Sequence, residues 1–165
     1  MELNPYAKYL DEQDPVPVLS ATANRLRALA ADLSPDEVDR APAPGKWSIR
    51  EIVAHLADCE LVFAFRLRQA LAPAIGEPHA IIQPFDQEVW AQRYAAYDLA
   101  SALDLFQSAR TWNMQLLSTV NDEDRRRLTT HPERGTMTFW TIVETMAGHD
   151  LNHLQQLERL TAKRT

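Results

Sequence analysis

Apolar residues recur every three or four positions in four separate stretches of the chain, and that spacing predicts four amphipathic helices. After Pro17, the first stripe runs through Leu19, Ala23, Leu26, Ala30 and Leu33, closing near Asp32. Ile49, Ile52, Val53, Leu56, Phe63, Leu67 and Leu71 form the second, with His55 at its border. Pro73 ends that helix, because it lacks a backbone donor and disfavours helix before it. Leu99, Leu103, Phe106, Ala109, Asn113 and Leu116 mark a third helix ending near Val120. In the fourth, Phe139, Ile142, Val143, Met146, His149, His153, Leu157 and Leu160 share one side of a helix running nearly to Thr165. The starts are also legible. Ser48 and Glu51 have capping-box spacing, and Asp98 and Thr138 are placed to cap the third and fourth helices.

The connections carry less pattern. Residues 1–15 read as an irregular lead-in, and Ser34-Pro35-Asp36-Glu37 as a short helical turn. Residues 73–97 are too many for a simple turn between adjacent helices. They suit either a binding loop or a surface excursion with one short helix near residues 86–93. Asn121 to Arg127 reads as a solvated turn with a short helix, and His131 to Gly135 as a loop. No strand-like alternation is long enough to build a sheet. The expectation is an all-α fold, a four-helix bundle with short extra helices in the connections, in a single domain over residues 1–165.

Composition narrows the function. A chain of 165 residues with 45% hydrophobic and 24% charged positions can bury a core without a structural metal. A formal charge of −6 supplies no basic stripe for phosphate contacts, which argues against nucleic acid as a partner. No apolar run approaches the roughly 20 residues of a membrane span, and the start lacks signal-peptide character. Cys59, the single cysteine, excludes an internal disulfide. A cytoplasmic protein is the expectation.

The chemistry concentrates in His149-Asp150-Leu151-Asn152-His153. Residues four apart stack on one helix face, so His149 and His153 present two imidazoles to the same point from within an apolar arc. Buried imidazoles must hydrogen-bond or bind something, since an unsatisfied polar group costs about 1–3 kcal/mol. His55 is the best third ligand, because His79 and His131 adjoin prolines in loops where a surface position is expected. Three imidazoles would leave one coordination position of a divalent ion open, and they suit nickel and zinc alike. Asp150 falls between the histidines on the inward arc, where a carboxylate could support a ligating ring. Glu60 lies in the buried stripe of the second helix, either as an acid/base group or paired with an arginine such as Arg66. Cys59, one turn after His55, could ligate, although a free cysteine is a common core residue.

Pro44-Gly45-Lys46-Trp47-Ser48-Ile49-Arg50-Glu51-Ile52-Val53-Ala54-His55, together with His149-Asp150-Leu151-Asn152-His153-Leu154-Gln155-Gln156-Leu157, resembles the DinB/YfiT-like superfamily over nearly the whole chain. That resemblance implies a four-helix bundle, often a homodimer, with a divalent metal, nickel or zinc, on three histidines that map onto His55, His149 and His153. Characterised relatives in that superfamily include enzymes that use low-molecular-weight thiols. The expected function is therefore metal-dependent transfer of a thiol to a small electrophile, or hydrolysis of a small molecule. Asp150 and Glu60 are the candidate catalytic groups, and Trp90 and Tyr94 the candidate substrate wall. A metal- or ligand-binding bundle without catalysis is the alternative. A zinc peptidase fits less well, because Asp150 stands where His-Glu-x-x-His requires glutamate.

Overall fold

The four long helices expected from the apolar spacing form in a computed structural model, which describes residues 3–72 and 79–162. In chain order the helices are α1 (Ala7–Leu10), α2 (Pro15–Ala30), α3 (Pro35–Asp39), α4 (Ile49–Leu71), α5 (Gln87–Ala91), α6 (Leu99–Leu117), α7 (Asp122–Arg125) and α8 (Phe139–Thr161). A 3-10 turn at Tyr94–Ala96 precedes α6. Local chemistry sets the starts of the long elements. The Ser48 hydroxyl accepts the Glu51 N–H at 3.3 Å while Glu51 accepts the Ser48 N–H at 2.8 Å, so both ends of the capping box close on α4. Asp98 accepts from the Ser101 N–H at the start of α6, and Thr138 from the Thr141 N–H at the start of α8. Helix α4 ends at Leu71; Pro73, expected to stop it, lies outside the described residues.

Helix α4 packs on α6 and α8, and α2 packs on the same two, which puts α2 and α4 on one diagonal of the bundle. The core has two adjoining parts. Leu19, Phe63, Leu67, Phe139, Val143 and Met146 fill one. Leu26, Ile52, Val53, Leu56, Phe106 and Leu154 fill the other. No helix among the described residues is long and apolar enough to cross a membrane.

The expectation of no sheet is corrected. Strands β1 (Ala80–Ile81), β2 (Leu128–His131) and β3 (Gly135–Thr138) form a small sheet in the order β1-β2-β3. Strands β2 and β3 make an antiparallel hairpin with His131 opposite Gly135, and β1 runs parallel to β2 with Ala80 opposite Thr129. Strands of two and four residues are too short to show a period of two, so their pairing came from tertiary contact. Gly135 takes a φ of +98° at the hairpin turn, a conformation that disfavours a side chain. Helix α8 starts directly after β3, so the hairpin sets where α8 begins. The hairpin also corrects the surface position expected for His131, which is buried.

The lead-in is likewise more ordered than expected. Helix α1 docks on α8 beside Gly148, where an added Cβ would come within 2.5 Å of the Tyr6 carbonyl oxygen. Glycine in a helix interior costs about 1 kcal/mol relative to alanine. Here it admits the N-terminal backbone next to His149.

Candidate metal centre

His55 from α4 meets His149 and His153 from α8 inside the bundle. The capping box fixes where α4 begins, and two turns later His55 faces inward; the stacking of His149 and His153 on α8 supplies the other two rings. The Nε2 atoms of His55 and His149 lie 3.1 Å apart. The His153 ring centroid is 4.8 Å from that of His55 and 4.5 Å from that of His149. Two nitrogens bound at 2.0–2.1 Å in tetrahedral geometry would stand about 3.3 Å apart, so the His55–His149 spacing fits a shared ion closely.

Two of the rings have a polar partner behind them. His55 Nδ1 lies 3.3 Å from the Tyr94 hydroxyl, and His153 Nδ1 lies 3.2 Å from Gln156 Oε1. If the Gln156 oxygen accepts from Nδ1–H, the lone pair of His153 is on Nε2. Trp47 packs 4.7 Å from His55 and stacks on His153, while the Tyr6 ring meets His149 edge-on at 5.1 Å. Burial disfavours the charged imidazole. It lowers His55 to about 3, His153 to about 4 and His149 well below the ordinary histidine value, the neighbouring rings adding to the effect at His55 and His149. All three are therefore neutral at pH 7, the form that offers a lone pair to a metal.

Cys59 also reaches the cluster, with Sγ 3.5 Å from His55 Nε2. The donor atoms of His55, Cys59 and His149 all lie within 4.8 Å of one another. Burial pushes the Cys59 thiol up, favouring its protonated form, and the residue packs in the same apolar cluster as Phe63 and Met146.

For Asp150 and Glu60 the structure shows pairing with an arginine, the alternative to a role at the rings. Both are buried against Arg110 of α6, not against the rings. Arg110 donates to both Glu60 oxygens, at 3.0 and 2.7 Å, and to Asp150 Oδ2 at 2.7 Å. The same guanidinium donates to the Leu19 carbonyl, and Asn113 donates to Glu60. Among the described residues neither carboxylate hydrogen-bonds a histidine, and the partner of Glu60 is Arg110 rather than Arg66. The reason is tertiary: Arg110 projects between α4 and α8 from a helix whose sequence distance from both hides the pairing. The charge of Asp150 reaches the site at His153, where it works against the effect of burial.

The two aromatic candidates separate. Tyr94 is fully buried beside His55 and supports it. Trp90 is partly exposed and packs on Phe85, lining a different depression with Leu61 and Phe65. It is not part of the wall around the histidines.

Two clefts flank the cluster. A larger one of about 670 Å3 opens at His55 and His153, beside Trp47, Lys46, Asn152 and Arg159. A smaller one of about 280 Å3 opens at Cys59 and His149, beside Arg66, His131, Glu133 and Arg134. Tyr6 and Gln87 line both. The sequence patterns did not mark Tyr6, Arg110 or Arg134 as part of this region, and offered Arg66 only as a partner for Glu60. For Tyr6 one signal existed: a glycine in the middle of α8, directly before His149, needs a packing reason, and that reason is the N-terminal backbone.

Comparison with known proteins identifies the family and the fold. The sequence profile of the DinB superfamily matches residues 19–157. A protein of Oceanobacillus iheyensis, provisionally named a metal-dependent hydrolase, is 27% identical over 141 residues, covering 84% of this chain and 79% of the relative. A Bacillus cereus protein with the same provisional name is 25% identical over 138 residues, covering 83% of this chain and 78% of the relative. The solved structure of YfiT from Bacillus subtilis, described as an unusual four-helix bundle topology, superposes with a TM-score of 0.76 at 23% identity. That likeness covers 88% of this chain and 84% of YfiT, and it is one of fold.

Proposed function

The chain belongs to the DinB superfamily, and from that premise we propose that it is a divalent-metal-dependent hydrolase of a small molecule, with His55, His149 and His153 holding zinc or nickel. The observation that carries the reading is the 3.1 Å separation of the His55 and His149 Nε2 atoms, which suits two ligands of one ion. A divalent ion there would supply Lewis acidity and lower the pKa of a coordinated ligand. The protein's own groups do the rest. Tyr94 and Gln156 orient two of the rings, Trp47 and Tyr6 shield the cluster from bulk water, and the clefts admit a small substrate to its edge. Three imidazoles are preferred to a set with Cys59, because burial favours the neutral rings that offer lone pairs and disfavours the thiolate that would have to bind.

Transfer of a low-molecular-weight thiol to a small electrophile is the second reading. The larger cleft favours it, having room for such a thiol and polar groups at Lys46, Asn152, Gln156 and Arg159. One experiment addresses both. Untagged protein is loaded with zinc or nickel in excess, its metal content measured, and its turnover of small esters and amides compared with that of thiol and electrophile pairs. Chelation should abolish turnover and metal should restore it. Failure to retain any divalent ion would overturn the proposal, and retention without turnover of any substrate would leave a metal-binding bundle.

A further inference from the structure

Two buried arginines in this bundle are treated in opposite ways. Arg110 is met by two carboxylates. Arg66, 8% exposed on α4, forms no ion pair among the described residues. Its Nη2 donates to the Gln83 carbonyl at 2.8 Å, and its buried Nε has no hydrogen-bond partner among the described residues. A buried cation without a counter-ion is costly, so a structure that keeps one invites an anion.

The surroundings of Arg66 suit that anion. It lines the smaller cleft together with Arg134 and His131, and the cleft continues to Cys59 and His149. His131 Nδ1 accepts the Glu133 N–H at 3.3 Å, which places the proton of the neutral ring on Nε2 as a further donor. Glu133 is the carboxylate of this cleft; it is exposed and pairs with neither arginine among the described residues. Among the described residues, two guanidinium groups against one carboxylate make this a locally positive cleft on a chain with a formal charge of −6. Such a patch concentrates anions, and the planar fork of arginine matches the oxygens of carboxylate or phosphate.

We propose that this cleft is an oxyanion-binding subsite: Arg66 and Arg134 hold the carboxylate or phosphate of a small substrate, whose reacting end is turned toward His149. The last clause rests on the reading of the histidines as the reaction centre; the anion site itself does not. A volume of about 280 Å3 suits a short acid rather than a polymer.

The test uses metal-free protein, so that failure of the metal reading leaves it intact. Propionate, its neutral counterpart propionamide, and inorganic phosphate are titrated while amide chemical shifts and heat are followed. Propionate is expected to bind saturably and propionamide at least about tenfold more weakly, the size of one lost charge-assisted hydrogen bond. Arg134→Gln, at a half-buried position, should weaken propionate by a similar factor with an unchanged melting temperature. Arg66→Lys keeps the charge but loses the fork, and should weaken it also. Displacement of propionate by phosphate would support the subsite and assign it to a phosphoryl group. Equal binding of propionate and propionamide, or wild-type propionate affinity in both variants, would overturn the proposal. Stoichiometric metal analysis of the same preparation, reloaded, reports separately on the histidines.

Discussion

Asp150 stands one residue after His149 on α8, and its Oδ2 accepts a 2.7 Å hydrogen bond from Arg110 Nη1 on α6. Because Arg110 also grips Glu60 on α4 and donates to the Leu19 carbonyl on α2, one guanidinium ties the four long helices together behind the imidazole cluster. The residue that sequence spacing makes a catalytic candidate thus joins an ion network that braces the helix carrying two of the histidines.

Asp150→Ala should destabilise the protein by about 3 kcal/mol, within the range for removing one partner of a buried ion pair. Arg25→Ala breaks only the Arg25–Glu158 pair, whose side chains are 43% and 45% exposed, and should cost less than about 1 kcal/mol. Urea denaturation of both variants measures the contrast. Equal midpoints would mean that the network contributes no more than a surface pair.

The ligand assignment predicts that His149→Ala and His153→Ala lose bound zinc or nickel while remaining helical by circular dichroism. Cys59→Ser should retain it. Full occupancy in His153→Ala with loss in Cys59→Ser would transfer the third ligand to Cys59.

Tyr94→Phe removes the hydroxyl beside His55 Nδ1 and leaves the ring packing in place. Loss of such an orienting partner weakens metal affinity by about 10- to 100-fold. Competition against a chelator of known affinity reads the change, and an unchanged affinity would show that the ring is held by Trp47 packing alone.

Burial depresses all three histidines, and the sign of the pH dependence follows. In the unfolded chain they take up protons near pH 6.5. In the folded protein they resist until about pH 3 for His55 and about 4 for His153. The unfolded state therefore binds more protons between these limits, and metal-free protein should lose stability as pH falls from about 6.5 toward 4. Above pH 7 this contribution should be flat. Melting temperatures of chelated protein across that range test it, and His153→Gln should show a shallower decline.

Gly148→Ala would favour helix by about 1 kcal/mol on propensity alone. Its Cβ would instead meet the Tyr6 carbonyl at 2.5 Å, so the substitution should lower the melting temperature and expose the first ten residues to proteolysis. A stabilised variant would mean that the N-terminal segment is not docked on α8 in solution.

Local pattern was enough for the four long helices and for the placing of His149 and His153 on one helix face. Four apolar stripes, the Ser48–Glu51 box and the Asp98 and Thr138 caps are interactions within a few residues of chain, and each forms where its spacing places it. The pairing of His149 with His153 is equally local, since the helical repeat alone puts them on one face. That His55 would join them also rested on a family resemblance, and the structure brings its ring to theirs.

What tertiary structure alone decided is which distant groups share a buried space. The parallel pairing of Ala80 with Thr129 and the burial of His131 depend on segments about fifty residues apart. The choice of Arg110 as partner of both Glu60 and Asp150 depends on α6 packing beside α4 and diagonally across the bundle from α8, so that the Arg110 side chain reaches both through the core, and the docking of Tyr6 on Gly148 depends on the path of the N-terminus. Desolvation makes these choices binding: once a charge leaves water its partner must be at hand, and only the packed bundle determines which one is.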